Sequence, residues 1–223
     1  NAGVTVIMVE KDQRNLDKGI KNIEKIYNRD IEKNRLSSSQ VEEIFARFTA
    51  TIDFEALSNV DMVIEAVPEN LELKKTVFKD IESTVSKDTI IASNTSSLSI
   101  DEMVSVLEFP ERFLGIHFFS PVNKMPLVEV IPSENTSDDV ISDVCKMIVK
   151  NKKFPVVVKN CPGFLINRIL LPYVNEAIHL VTQGFKVTDI DSIATDFGLP
   201  FGPLALADQV GLDVGKKVLD VLY

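Results

Sequence analysis

Val4-Thr5-Val6-Ile7-Met8-Val9-Glu10, followed between Asp12 and Lys33 by apolar residues at Leu16, Ile20, Ile23, Tyr27 and Ile31, is the stretch that decides the fold. The first run is of strand length and apolar, which predicts a buried strand over Val4 to Val9. The second recurs every three or four residues and predicts an amphipathic helix. A strand that leads straight into a long helix is half of a crossover unit, and the alternation continues along the chain. Ser37-Ser38-Ser39 ahead of Glu42 and Glu43 predicts a capped short helix ending near Arg47. Strands are expected at Phe48 to Ile52, Met62 to Val67, Thr89 to Ala92, Phe113 to Phe118, Leu127 to Ile131 and Phe154 to Val158. Helices are expected over Leu71 to Val85 and Asp138 to Val149. The composition shifts at Asn160-Cys161-Pro162-Gly163, after which only helical patterns follow, over Phe164 to Val181, Val187 to Phe197, Gly202 to Asp208 and Asp213 to Leu222. The expected fold class is therefore α/β, with a mainly parallel sheet over residues 1–161 and an all-α region over residues 162–223.

Composition narrows the function classes. The chain has 223 residues, 45% of them apolar, and its net charge of −9 comes from 24 Lys or Arg against 33 Asp or Glu. That acidic balance argues against nucleic acid as a partner. Two cysteines, Cys145 and Cys161, and two histidines, His117 and His179, supply neither a disulfide framework nor a multi-cysteine zinc site. No metal is expected, and a reducing compartment is. No apolar run reaches the ~20 residues of a membrane span, and the opening NAGVTVIMVEKDQ lacks a secretory signal pattern, so an intracellular, soluble protein is expected. Asn1 stands directly before a strand and Tyr223 falls within a helical pattern, which predicts that the parent sequence extends beyond both ends.

Four places could carry chemistry. His117 closes the strand Phe113-Leu114-Gly115-Ile116-His117, and the carboxyl ends of strands in open parallel sheets are where ligands bind. An imidazole there can exchange a proton near neutral pH, or it can simply close a turn. His179, in Val174-Asn175-Glu176-Ala177-Ile178-His179-Leu180, reads as structural. Glu129 interrupts the apolar strand Leu127 to Ile131; it either pairs with His117, as a base with its orienting acid, or faces solvent from an edge strand. Ser93-Asn94-Thr95-Ser96-Ser97 follows the apolar Ile90-Ile91-Ala92 and offers hydroxyl and amide groups to a substrate oxygen, a helix cap, or both. Glu10 ends the first strand, where an acid can accept the ribose hydroxyls of a dinucleotide, although no glycine-rich turn precedes it in this sequence.

Four segments taken together resemble one family. HFFSPVNKMPLVEVI at 117–131, ASNTSSLSI at 92–100, EAVPENLELKK at 65–75 and CPGFLINRILLPYVNEA at 161–177 are similar to the 3-hydroxyacyl-CoA dehydrogenases, in the same order and with that family's spacing. HFFSPVNKMPLVEV and LPFGPLALADQVGLD at 199–213 look most like the dehydrogenase part of multifunctional fatty-acid β-oxidation enzymes. The resemblance implies a Rossmann-like NAD domain that enters at its second strand, without its first strand and Gly-rich turn, followed by a helical domain.

The resemblance also implies roles. His117 would be the catalytic base and Glu129 its partner, with Ser96 and Asn167 at the substrate's C3 oxygen. Glu10 would hold the ribose, and Glu69, Lys74 and Asn94 would surround the nicotinamide half of NAD. The activity implied is NAD-dependent oxidation of (S)-3-hydroxyacyl-CoA to 3-oxoacyl-CoA. The implied partners are acyl-CoA and either a second copy or further domains of a multifunctional chain. The implied compartment is the bacterial cytoplasm, or the mitochondrial matrix or peroxisome of a eukaryote. Between Lys11 and Arg35, eight Lys or Arg stand against five acids. That face would dock coenzyme A phosphates, or it is a solvated face with Lys21 and Lys25 paired around Glu24. Two rival functions remain: another two-domain β-hydroxy-acid dehydrogenase, whose usual lysine would replace the His–Glu pair, and an inactive acyl-CoA-binding or dimerisation piece.

Overall fold

The computed structural model describes residues 3–211. In chain order the elements are β1 (Val6–Val9), α1 (Gln13–Glu32), α2 (Ser38–Phe45), β2 (Phe48–Thr51), β3 (Met62–Glu65), α3 (Leu71–Thr84), β4 (Ile90–Ser93) and α4 (Ile100–Val104). They continue with β5 (Phe113–Phe118), β6 (Leu127–Pro132), α5 (Asp138–Lys150), β7 (Phe154–Val157), α6 (Ile166–Thr182), α7 (Val187–Phe197) and α8 (Pro203–Val210). The helix starts follow local chemistry. Asp12 caps α1 through the Asn15 N–H, Ser37 and Gln40 form a reciprocal capping box on α2, and Asn70 caps α3. The helix expected over Asp213 to Leu222 lies outside the described residues.

The strands form two sheets, β1-β2 and β3-β4-β5-β6-β7. Every pairing is parallel except β5 with β6. The short link from Phe118 to Leu127 has no helix to carry a crossover, so the chain returns antiparallel. The expectation of a buried first strand needs correcting. Val4 and Val6 are 44% and 47% exposed, because β1 pairs only with β2 and its first half has no covering layer among the described residues.

The core lies on both faces of the five-stranded sheet. Side chains alternate across a pleated strand, so neighbours in sequence enter different clusters. Ile91, Phe113 and Ile131 join Phe78 and Ile81 of α3 and Met103 of α4 on one face. Ala92, Leu114 and Val130 join Val144 and Ile148 of α5 on the other. Burial on both faces explains why β5 is apolar almost throughout. Gly115 is required there: a Cβ would stand 2.7 Å from Ile100 Cδ1 and 3.1 Å from Ile131 Cβ.

Beyond β7 the structure is helical, and it leaves Ile169, Phe185, Ile193 and Phe197 exposed. Asp30 near the end of α1 pairs with Arg35 beyond it at 3.3 Å, and among the described ion pairs Glu24 joins neither Lys21 nor Lys25. Holding long exposed side chains together costs about as much as the pairing gains, so such pairs are often unformed.

Candidate active site

His117 and Glu129 stand directly opposite each other in the antiparallel β5–β6 register. Residues opposed in this way project to the same face, which brings the two side chains together. Nδ1 of His117 lies 2.7 Å from Oε2 of Glu129. Both are buried, His117 to 5% exposure and Glu129 completely. Since β6 lies between β5 and β7, the edge-strand alternative for Glu129 is ruled out.

The second oxygen of Glu129 is held as well. Oε1 accepts the Leu165 N–H at 3.0 Å and the Ile166 N–H at 2.9 Å, both at the start of α6. Burial alone pushes this carboxyl up, but the hydrogen bonds from His117, Ile166 and Leu165 outweigh it and hold it below its ordinary value of 4.5. An ionised carboxylate only accepts hydrogen bonds, so the proton between the pair resides on Nδ1. In the neutral ring Nε2 is then the free base. Phe119 and Phe164 flank the imidazole, with ring centroids 4.5 and 5.9 Å away.

Hydrogen bonds link most of the other predicted residues to one another or to chain neighbours of this pair. Asn94 Oδ1 accepts the Phe118 N–H at 3.2 Å, fastening the end of β4 beside His117. Asn167, in the first turn of α6, donates through Nδ2 to the Ser96 carbonyl at 3.3 Å. Glu69 Oε1 accepts from Thr95 Oγ1 at 2.6 Å and from the Ser96 N–H at 3.1 Å, and its other oxygen lies 3.4 Å from Lys74 Nζ. Lys74 is 1% exposed and also donates to Glu65 at 2.8 Å. Its ammonium faces the protein rather than an open cleft. Within the serine-rich cluster, Thr95 Oγ1 accepts the Leu98 N–H and closes the turn, while Ser99 caps α4.

Glu10 is separate. It follows β1 in the other sheet, where its N–H donates to the Thr51 carbonyl, and its carboxylate has no partner among the described hydrogen bonds. His179 lies exposed on α6. Sequence reasoning missed Glu65, whose carboxylate also accepts from Ser93 Oγ at 2.8 Å. The available signal was a carboxylate ending the apolar run Met62-Val63-Ile64. It missed the α6 amides entirely, because backbone N–H groups carry no sequence signature. Among the described residues, no three or more His, Cys, Asp or Glu side chains are grouped to hold a metal, and no helix is long and apolar enough to cross a membrane.

Comparison with known proteins shows which sequences and folds this chain is similar to. Residues 1–161 match the family model described as 3-hydroxyacyl-CoA dehydrogenase, NAD binding domain, and residues 163–223 match the 3-hydroxyacyl-CoA dehydrogenase, C-terminal domain. A fatty acid oxidation complex subunit alpha from Vibrio parahaemolyticus is 43% identical over 198 residues, covering 89% of this chain and 28% of the relative. This chain thus spans well under half of that relative's length. Among solved structures, (S)-3-hydroxybutyryl-CoA dehydrogenase from Ralstonia eutropha has a TM-score of 0.95 and 39% identity, covering 100% of this chain and 79% of the other. The dehydrogenase part of a multifunctional enzyme from C. elegans has a TM-score of 0.72 and 34% identity, covering 97% and 50%.

Proposed function

The chain belongs to the 3-hydroxyacyl-CoA dehydrogenase family, and on that premise we propose that it carries the NAD-dependent oxidation of (S)-3-hydroxyacyl-CoA to 3-oxoacyl-CoA. The observation that supports this most is the buried His117–Glu129 pair, whose carboxylate is satisfied on both oxygens and whose imidazole keeps Nε2 free. Oxidising a secondary alcohol requires loss of the hydroxyl proton together with a hydride from the same carbon. His117 takes the proton at Nε2, and Glu129 orients the ring and stabilises the resulting imidazolium. Ser96 and Asn167, linked to each other through the Ser96 carbonyl, orient the hydroxyl and the developing carbonyl. Such a His–Glu pair fits this family better than a lysine-based hydroxy-acid dehydrogenase, since Lys74 is already committed to Glu65.

Bound NAD supplies the hydride acceptor. The residues fit it on one observation: the unpartnered Glu10 carboxylate stands just past the carboxyl end of a parallel strand, where ribose hydroxyls can donate to it. We assign Glu69 and Asn94 to the nicotinamide side, with Lys74 acting through Glu69. The domain division we adopt is 1–161 for the NAD-binding part and 162–223 for the helical part. The exposed apolar side chains of α6 and α7 support packing against a second copy or further domains of a longer chain. A cytoplasmic setting follows the bacterial relatives. The test is His117→Gln, assayed by reduction of acetoacetyl-CoA with NADH. The expected outcome is a loss in kcat of about 10²–10⁴-fold with little change in substrate affinity. Near-normal turnover would overturn the assignment.

A further inference from the structure

We propose that Phe164 is a positioning residue, whose left-handed backbone aims the first amides of α6 at Glu129 and thereby sets the tautomer of His117. Among the described residues, three non-glycine residues have positive φ: Asn34 at 52°, Lys152 at 59° and Phe164 at 48°. Asn34 and Lys152 follow the ends of α1 and α5 in exposed turns, where such a conformation is an ordinary way to stop a helix. Phe164 precedes a helix, and it is 2% exposed. A bulky side chain holds this conformation only where its surroundings demand it.

Two demands meet at this residue. Gly163 at φ 71° and Phe164 together turn the chain, with the Phe164 N–H donating to the Cys161 carbonyl at 2.8 Å. The next two N–H groups, from Leu165 and Ile166, then converge on one oxygen of Glu129. At the same time the Phe164 ring packs into the core cluster that contains Ile100 and Phe113, beside the His117 ring. Glycine would accept the turn more readily but would leave this space empty. The N-cap residue of α6, Leu165, has no side chain able to cap it, so Glu129 does the work of a cap from another element. An ionised Glu129 is the acceptor that keeps the proton on Nδ1. This role rests on the proposed catalytic reading only for its consequence; the geometry itself can be tested without turnover.

The experiment compares Phe164→Leu with Phe164→Val by NMR of the chain labelled with ¹⁵N-histidine. Both changes remove the ring and keep an apolar side chain, but valine is β-branched and resists a left-handed backbone. The chain has two histidines, so the exposed His179 on α6 is an internal reference for the imidazole signals, and the thermal unfolding of each variant by circular dichroism reports folding. In the wild type and Phe164→Leu, His117 should show a downfield, hydrogen-bonded Nδ1–H proton. In Phe164→Val that signal should be lost while His179 is unmoved. Retention of the signal in a folded Phe164→Val variant overturns the proposal. If Phe164→Val does not fold, Phe164→Gly decides: retained signal supports the backbone role, and loss in the folded protein overturns it. Activity of the chain, or its absence, bears on the catalytic reading and leaves this result standing.

Discussion

Glu65 and Glu129 are both buried, to 4% and 0% exposure, and both end up with every oxygen engaged, yet their partners differ in kind. Glu65 is held by Lys74 and Ser93, with a further hydrogen bond from the Val67 N–H. Lys74 is itself 1% exposed and turned inward, so the cluster is closed. Glu129 is held by an imidazole and two helix amides. Its cation can appear and vanish with one proton. The same carboxyl chemistry thus serves as a fastening in one place and, in the function proposed above, as the orienting partner of a proton acceptor in the other. The fastening matters to the site all the same, since Lys74 reaches Glu69, which holds the Ser96 N–H.

The comparison can be broken most sharply at Lys74. Lys74→Met leaves a buried carboxylate without its cation and should cost about 3–5 kcal/mol in chemical denaturation. Adding Glu65→Leu should recover part of that loss, because the orphaned charge is then gone. A double variant no more stable than Lys74→Met would show that the pair is not the source of the effect. Glu129→Gln should instead be felt mainly in turnover. It keeps an acceptor oxygen but removes the charge, so kcat for acetoacetyl-CoA reduction should fall by about 10²-fold or more, while stability falls by about 1–3 kcal/mol.

Acid sharpens the contrast. The Glu129 carboxyl is held below its ordinary value of 4.5, so the stability its ionisation contributes is fully present above about pH 4.5. That stability is lost as pH falls through the lower, folded-state value. The gap between the wild type and Glu129→Gln, measured by thermal unfolding, should therefore narrow as pH falls below about 4.5. A gap that goes on widening below that pH would contradict the hydrogen-bonded, ionised state. The smallest effect belongs to the surface: Arg35→Ala removes the exposed pair with Asp30 and should cost about 0.2–1 kcal/mol, declining with added salt.

The alternation of strands and helices was legible because its periods of two and 3.6 are local properties. The capped helix start at Ser37 was legible for the same reason. Glu129 was legible as a problem, a charge in an apolar strand with two possible solutions. Only its place between β5 and β7 removed one of them. Glu65 went unremarked because a carboxylate at a strand end is ordinary, and its burial depends on Lys74 returning from α3. The exposure of Val4 and Val6 was misread because hydropathy marks what a strand can bury and says nothing about what covers it.

By itself the sequence determined the order of elements, a shift in composition near Cys161 and a set of segments whose wording resembles one dehydrogenase family. It also singled out His117 over His179. Tertiary structure alone decided that β6 runs antiparallel to β5, which sets His117 against Glu129, and that the chain turns at Phe164 to place two amides on the same carboxylate. The physical reason is range. Propensity and periodicity act within a few residues, whereas the protonation state of Glu129 depends on hydrogen bonds from β5 and α6, which meet only once the sheet and the helical region have packed.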